Sequence, residues 1–142
     1  TDFNHPDPST YPPSPPQPVT MEAYRLEMER YEQREQIKEN IDYDYLLQEH
    51  PYDDVESLLE LIVDVVSSTA VTIRIGKEVL PAETVKRRFL ELDSSHIKYV
   101  IESLNQTTTK INNIRAYLLT ALYNAPVTIG PYYSAAVRHD FG

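Results

Sequence analysis

Cysteine and tryptophan are absent from these 142 residues, and glycine occurs only three times, at Gly76, Gly130 and Gly142. Without cysteine there are no disulfides and no thiolate metal sites. Three scattered glycines cannot build a glycine-rich phosphate cradle, and neither a P-loop nor GxGxxG occurs. HExxH and GxSxG are missing too, so no catalytic signature stands out and the chain is expected to be non-catalytic, with no cofactor. No apolar run approaches the roughly 20 residues that a membrane span needs. The opening TDFNHPDPST is polar and proline-rich, unlike a signal peptide. A start on linker-like sequence without methionine leads us to expect a fragment of a longer protein.

What is present supports one domain with a real core, since 41% of the residues are hydrophobic. The net charge of −9 is unevenly spread. Residues 1–64 hold 16 acids against 4 bases, whereas residues 65–142 hold 6 acids against 9 bases. Affinity for nucleic acid depends largely on neutralised phosphates, so the acidic half argues against a strong DNA grip. The mildly basic half keeps such a reading open.

Three segments follow from composition. Residues 1–19 carry seven of the eleven prolines. Proline locks φ and lacks a donor, so TYPPSPPQP favours extended polyproline II, and we expect a disordered lead. An interdomain linker is the simplest reading, with a ligand for a proline-binding module as the alternative. Residues 20–40 form a charged amphipathic helix capped by Thr20. Met21, Tyr24, Met28 and Tyr31 make a narrow seam along it, and Arg30, Arg34 and Lys38 share one i,i+4 row. Glu35 and Lys38 break the seam, so the helix should pack along the domain or against a second copy without a sustained coiled coil.

Residues 41–142 read as the folded domain. IDYDYLLQEHP predicts a short helix capped by Asp42 and ended before Pro51. Asp53 and Glu56 have capping-box spacing before a core helix in which Val55, Leu58, Leu59, Ile62, Val65 and Val66 form a broad stripe. Glu56, Glu60 and Asp64 occupy the opposite row, read as a solvated face rather than a metal site. Val71, Ile73 and Ile75 alternate at strand spacing before Gly76. A two-residue turn would set Ile75 opposite Glu78, and a three-residue turn would pair it with Val79. Pro81 opens a helix with Ala82, Val85, Phe89 and Leu92 inward. Asp93 or Ser94 caps the next, which buries Ile97, Val100, Ile101 and Leu104. Thr109 is expected to cap a third with Ile111, Ile114, Leu118, Ala121, Leu122 and Ala125 inward, ending at Asn124 to Pro126. Gly130 and Pro131 would start a last helix carrying Tyr133, Ala136 and Val137. The fold class expected is mainly α, a compact multi-helix domain with one small β-hairpin.

Two sets of residues are candidates for function. Arg74 and Lys77 on the hairpin, with Lys86, Arg87 and Arg88 on the following helix, are candidate DNA contacts, to which Lys98, Lys110 and Arg115 could add. Three consecutive bases on a helix spread over about 200°, so they cannot all face one surface. The competing reading is a solvated face paired with the acidic half. Arg115, Leu119 and Tyr123 share an i,i+4 row beside the buried stripe, and tyrosine suits both core margins and interfaces, so this row is the candidate partner surface. His96 reads as a surface or capping residue rather than a ligand, and the adjacent His139 and Asp140 are a poor pair for one metal ion.

The segments LDSSHIKYVIESL, TTTKINNIRAYLLTALYNAP and YYSAAVRHDFG closely resemble the C-terminal domain of the replication initiator protein A family of plasmids and conjugative elements from low-GC Gram-positive bacteria. The resemblance runs from about Ile41 to the end. Lys110 to Leu118, KINNIRAYL, is also similar to the C-terminal domains of DnaD-type helicase loaders. The resemblance implies a cytoplasmic, non-catalytic module that couples an initiator to host replication proteins, such as a helicase or helicase loader. It places origin recognition in an N-terminal winged-helix domain that is not among these residues. Four seam residues on the first helix offer too little area for an obligate dimer, whose interface usually buries more than about 2,000 Å². Self-association, if it occurs, should be weak.

Overall fold

Eight elements follow one another in a computed structural model that describes residues 20–141, with side chains to residue 130. They are α1 (Met21–Ile41), α2 (Tyr43–Glu49), α3 (Val55–Val66), β1 (Thr72–Ile75), β2 (Glu78–Pro81), α4 (Ala82–Leu90), α5 (Ser94–Gln106) and α6 (Ile114–Phe141). The described residues are mainly α-helical with a single two-stranded antiparallel hairpin, as the periodicities predict. The proline-rich lead, and the side chains of Tyr133, Ala136, Val137, His139 and Asp140, lie outside the described residues.

Helix α3 is the centre because its apolar residues wrap most of its circumference. Every residue of the expected stripe is buried, and Leu61 and Val63 join it. A helix apolar on nearly all sides must be covered on nearly all sides. Accordingly α1, α2, α4 and α6 all pack against it. Phe89 and Val85 of α4, and Ile97, Val100 and Ile101 of α5, complete the same core. Although α1 is charged, Ile37 and Ile41 in its last turns are fully buried, and these two anchor the helix.

Local signals set most boundaries. The Thr20 side chain accepts from the Ala23 N–H at 3.1 Å, which caps α1 as expected. Asp93 caps α5 in a capping box closed by His96, whose Nδ1 accepts from the Asp93 N–H at 3.0 Å. Two expected caps differ in the structure, one by position and one by lacking a side-chain bond. Helix α3 is capped by Asp54, which accepts from Ser57 N–H at 3.0 Å, because Asp53 is held by Asn105 and His50 instead. Asp42 makes no side-chain cap to α2. It adopts a left-handed conformation (φ 55°) that ends α1 and turns the chain directly into α2.

The hairpin resolves the open register. Ile75 pairs with Glu78 across a two-residue Gly76–Lys77 turn, with Gly76 at φ 62°. Glycine at the first central position with positive φ is the II′ pattern, whose twist suits a hairpin. An isolated hairpin is marginal in water, and here it lies on α4 and α6, with Ile75 buried.

The last third differs most from expectation. Helix α6 begins at Ile114 rather than after Thr109, and Asn113 Oδ1 accepts the Ala116 N–H at 3.0 Å. Ile114 is therefore a first-turn residue at the rim, 48% exposed, and Ile111 sits in the preceding loop, half-buried. Helix α6 then runs without a break through Pro126, Gly130 and Pro131. Proline's φ is helical, so what Pro126 removes is one donor to the Leu122 carbonyl and some clearance beside it. Leu122 and Ala125, both fully buried, hold this turn against the core. Tertiary packing thus outweighs the local stop signal.

Candidate functional site

Three surfaces deserve comparison: the free end of α1, the basic hairpin and α4, and the row on α6. The geometry of α1 comes from its arginines. Arg30 reaches Asp64 Oδ1 at 2.8 Å and Ser67 Oγ at 2.9 Å, and Arg34 reaches Glu60 Oε1 at 2.7 Å. A step of four residues forward on α1 thus matches four backward on α3, so the two helices run antiparallel. The i,i+4 row of bases on one helix lies along the i,i+4 row of acids on the other. The Glu60 hydrogen bond raises the Arg34 guanidinium above its usual range, with Glu60, Tyr43 and Glu56 adding to it against partial burial.

That register leaves the start of α1 unsupported. Arg30 already touches Ser67, the residue that ends α3. Residues 21–29 therefore project past α3, by about 13 Å at 1.5 Å per residue. Every residue from Met21 to Glu32 is exposed except Ala23, which is half-buried. Met21 is 82%, Tyr24 55% and Tyr31 59% exposed, and Leu26 and Met28 are exposed as well. The expected seam is present, and within the described residues nothing covers it. It is the two-isoleucine end, not the seam, that packs along the domain.

The basic residues do not act as one group. Arg88 Nη1 donates to the Tyr123 carbonyl oxygen at 3.2 Å, and its guanidinium lies 4.1 Å from the Tyr123 ring centroid. Arg88 therefore clamps α4 to α6. Lys86 is mostly buried and pairs with Glu83 at 3.6 Å. Neither pairs with the acidic N-terminal half among the described residues. Arg74, Lys77 and Arg87 are exposed, and among the described residues no ion pair or hydrogen bond engages their side chains. Arg74 stands on the hairpin's outer face, opposite Val79. Lys98 donates to the Tyr45 hydroxyl at 2.7 Å, which raises its pKa and ties α5 to α2.

The α6 row is also engaged from within. Arg115 pairs with Asp64 at 3.5 Å, Leu119 is half-buried against the core, and Tyr123 lies beneath Arg88. Thr120 faces the hairpin: a Cβ built on Gly76 would stand 3.9 Å from its hydroxyl oxygen. The row thus joins α3 and α4 to α6, with the neighbouring Thr120 beside the hairpin, and within the row only Arg115 is strongly exposed. Among the described residues no group of three histidines, cysteines or carboxylates is placed to hold a metal ion. No helix among them is long and apolar enough to cross a membrane.

One family's profile matches residues 3–142. The chain belongs to a family of unknown function (DUF6017). No curated protein and no solved structure matches the chain. For this DUF6017 member the surfaces themselves carry the functional argument.

The arginine–carboxylate ladder is the feature that the sequence did not disclose. Both rows were visible at i,i+4 spacing, but nothing in the spacing says that they meet. Its consequence, the free end of α1, could be located only once that register was known.

Proposed function

We propose that this chain is a non-catalytic C-terminal module of a plasmid or mobile-element replication initiator that binds a host replication protein. The observation that supports this best is the exposed apolar row on the projecting turns of α1. A helix that presents Met21, Tyr24, Met28 and Tyr31 to water is a ready partner for a groove or a second helix, because burying such residues is favourable and their loss to solvent is not. Methionine and tyrosine also suit a binding surface, the first by its adaptable shape and the second by pairing an apolar ring with a polar tip. The resemblance of residues 41–142 to replication initiators suggests the partner class, a replicative helicase or a helicase loader.

The experiment is a titration of the purified chain with a purified replicative helicase, and separately with a helicase loader, read by fluorescence anisotropy. Tyr24→Ser with Met28→Ser should weaken binding at least about tenfold, the effect of losing roughly 1.4 kcal/mol of buried contact. Binding that ignores this double change would remove α1 from the account.

A DNA-binding reading keeps one specific support, Arg74, Lys77 and Arg87, which are exposed and unpaired among the described residues. It is weakened by the internal engagement of Arg88 and Lys86 and by the carboxylate excess of the whole chain. Arg74→Ala with Lys77→Ala would lower a duplex-DNA affinity and flatten its salt dependence if these residues grip phosphate. No change in either quantity would discard this reading.

A further inference from the structure

A second surface lies on the opposite side of the ladder, where α3, α5 and the first turns of α6 leave a pocket of about 250 Å³. Leu58, Ile101, Leu104, Ile114 and Leu118 line it, and Asp53, Asp54 and Ser57 edge it. It shares Asp54, Ser57, Ile114 and Leu118 with a wider depression of about 500 Å³ that continues along α3 past Glu56, Glu60 and Asp64. The result is one groove with a deep apolar end and an acidic shelf. The groove lies at the start of α6, where Ile114 and Leu118 line it together with Ile101 and Leu104 of α5. Ile114 stands at the mouth, 48% exposed.

The charge around the groove selects its occupant. Five carboxylates border it, and Arg115 is the one cation in its lining. Arg30 and Arg34 neutralise Glu60 and Asp64 from the α1 side, but Glu56 is 69% exposed and only loosely paired with Arg34, at 3.9 Å. Hydrogen bonds from the Ser57 hydroxyl and N–H hold the Asp54 pKa below the usual carboxylate range. An acidic occupant would meet the repulsion of Asp53, Asp54 and Glu56, and a purely polar one would leave the apolar end unfilled.

We infer that the groove between α3, α5 and α6 docks a basic amphipathic segment of a partner protein, with one leucine-sized side chain in the apolar end and lysine or arginine along the α3 shelf. This goes beyond the α1 surface and can hold or fail independently of it. The segment would bind as a short helix, apolar face inward, the mode in which i, i+3 and i+4 anchors enter a groove.

The test uses a synthetic 14-residue peptide with leucine on one helical face and lysine on the other, titrated into the whole chain while methyl resonances are followed by NMR. Shifts should concentrate on Leu58, Ile101, Leu104, Ile114 and Leu118. Ile114→Ser and Glu56→Lys change exposed residues and should each weaken the peptide by about fivefold or more, through lost apolar burial and reversed charge respectively. A leucine–glutamate peptide and an alanine–lysine peptide should both bind at least about tenfold more weakly, since each lacks one of the two complementary features. Equal binding of either control, or indifference to both variants, overturns the inference. Shifts confined to the methyls of Met21 and Met28 also overturn it, while leaving the α1 surface standing.

Discussion

Pro126→Ala should stabilise the domain, although it alters a residue beside the core. Helix α6 continues through position 126, where proline has no N–H for the Leu122 carbonyl. In a helix interior proline is about 3 kcal/mol less favourable than alanine. The ring of Pro126 is half-buried, so its two extra methylenes return roughly half of about 1.6 kcal/mol through burial. The difference predicts a gain of about 2 kcal/mol. With a urea dependence of about 2 kcal/mol per molar, the unfolding midpoint should rise by about 1 M. Urea titration followed by circular dichroism measures it directly. An unchanged or lowered midpoint would show that α6 does not run through Pro126, and that the local stop signal governs after all.

Leu59→Ala, at the fully buried centre of α3, should cost about 2–5 kcal/mol, and a urea-denaturation cost below about 1 kcal/mol would misplace the core. Asp54→Ala should cost about 0.5–2 kcal/mol by removing the α3 cap. Asp54, through its Ser57 hydrogen bonds, and Asp93, where bonds from Ser95 and His96 outweigh burial, both have lowered pKa values. Their stabilisation is therefore complete above about pH 4, the ordinary carboxylate value, and is lost as pH falls below it. Asp54→Asn should keep the cap yet flatten part of that acid dependence in thermal melts, and an unaltered pH profile would reject the assignment. Arg88→Ala should cost about 1 kcal/mol by freeing Tyr123, with Arg88→Lys recovering only part because lysine cannot lie flat over the ring while bonding the carbonyl. Full recovery by lysine would mean that charge alone matters.

Legibility in the sequence followed the range of the interaction. The α3 stripe, the Asp93 cap and the inward Val85 and Phe89 were readable because each rests on residues three or four apart. The strands around Gly76 were readable from alternation, but their register was not, since both turn lengths gave plausible partners for Ile75. Ile37 and Ile41 were missed because two apolar residues in a charged helix make no pattern until α3 lies beside them. Asp53 and Thr109 were read as caps, whereas Asp54 and Asn113 accept the first-turn N–H groups; Asp53 is drawn off by Asn105 and His50. Arg88 and Tyr123 each belonged to a candidate site, one basic and one aromatic. In the fold they are one contact, which removes both from the free surface.

The proposed functional contact is made by α1 and not by the basic residues. The most direct measurement is the affinity of the chain for a purified helicase loader and for a 20-base-pair duplex, each at 50 and 200 mM salt. Loader binding should change less than about threefold with salt and disappear when residues 1–31 are removed, and duplex binding should be weak. Duplex binding that falls by a hundredfold or more over that range, the mark of several released counterions, combined with no loader binding, would contradict it.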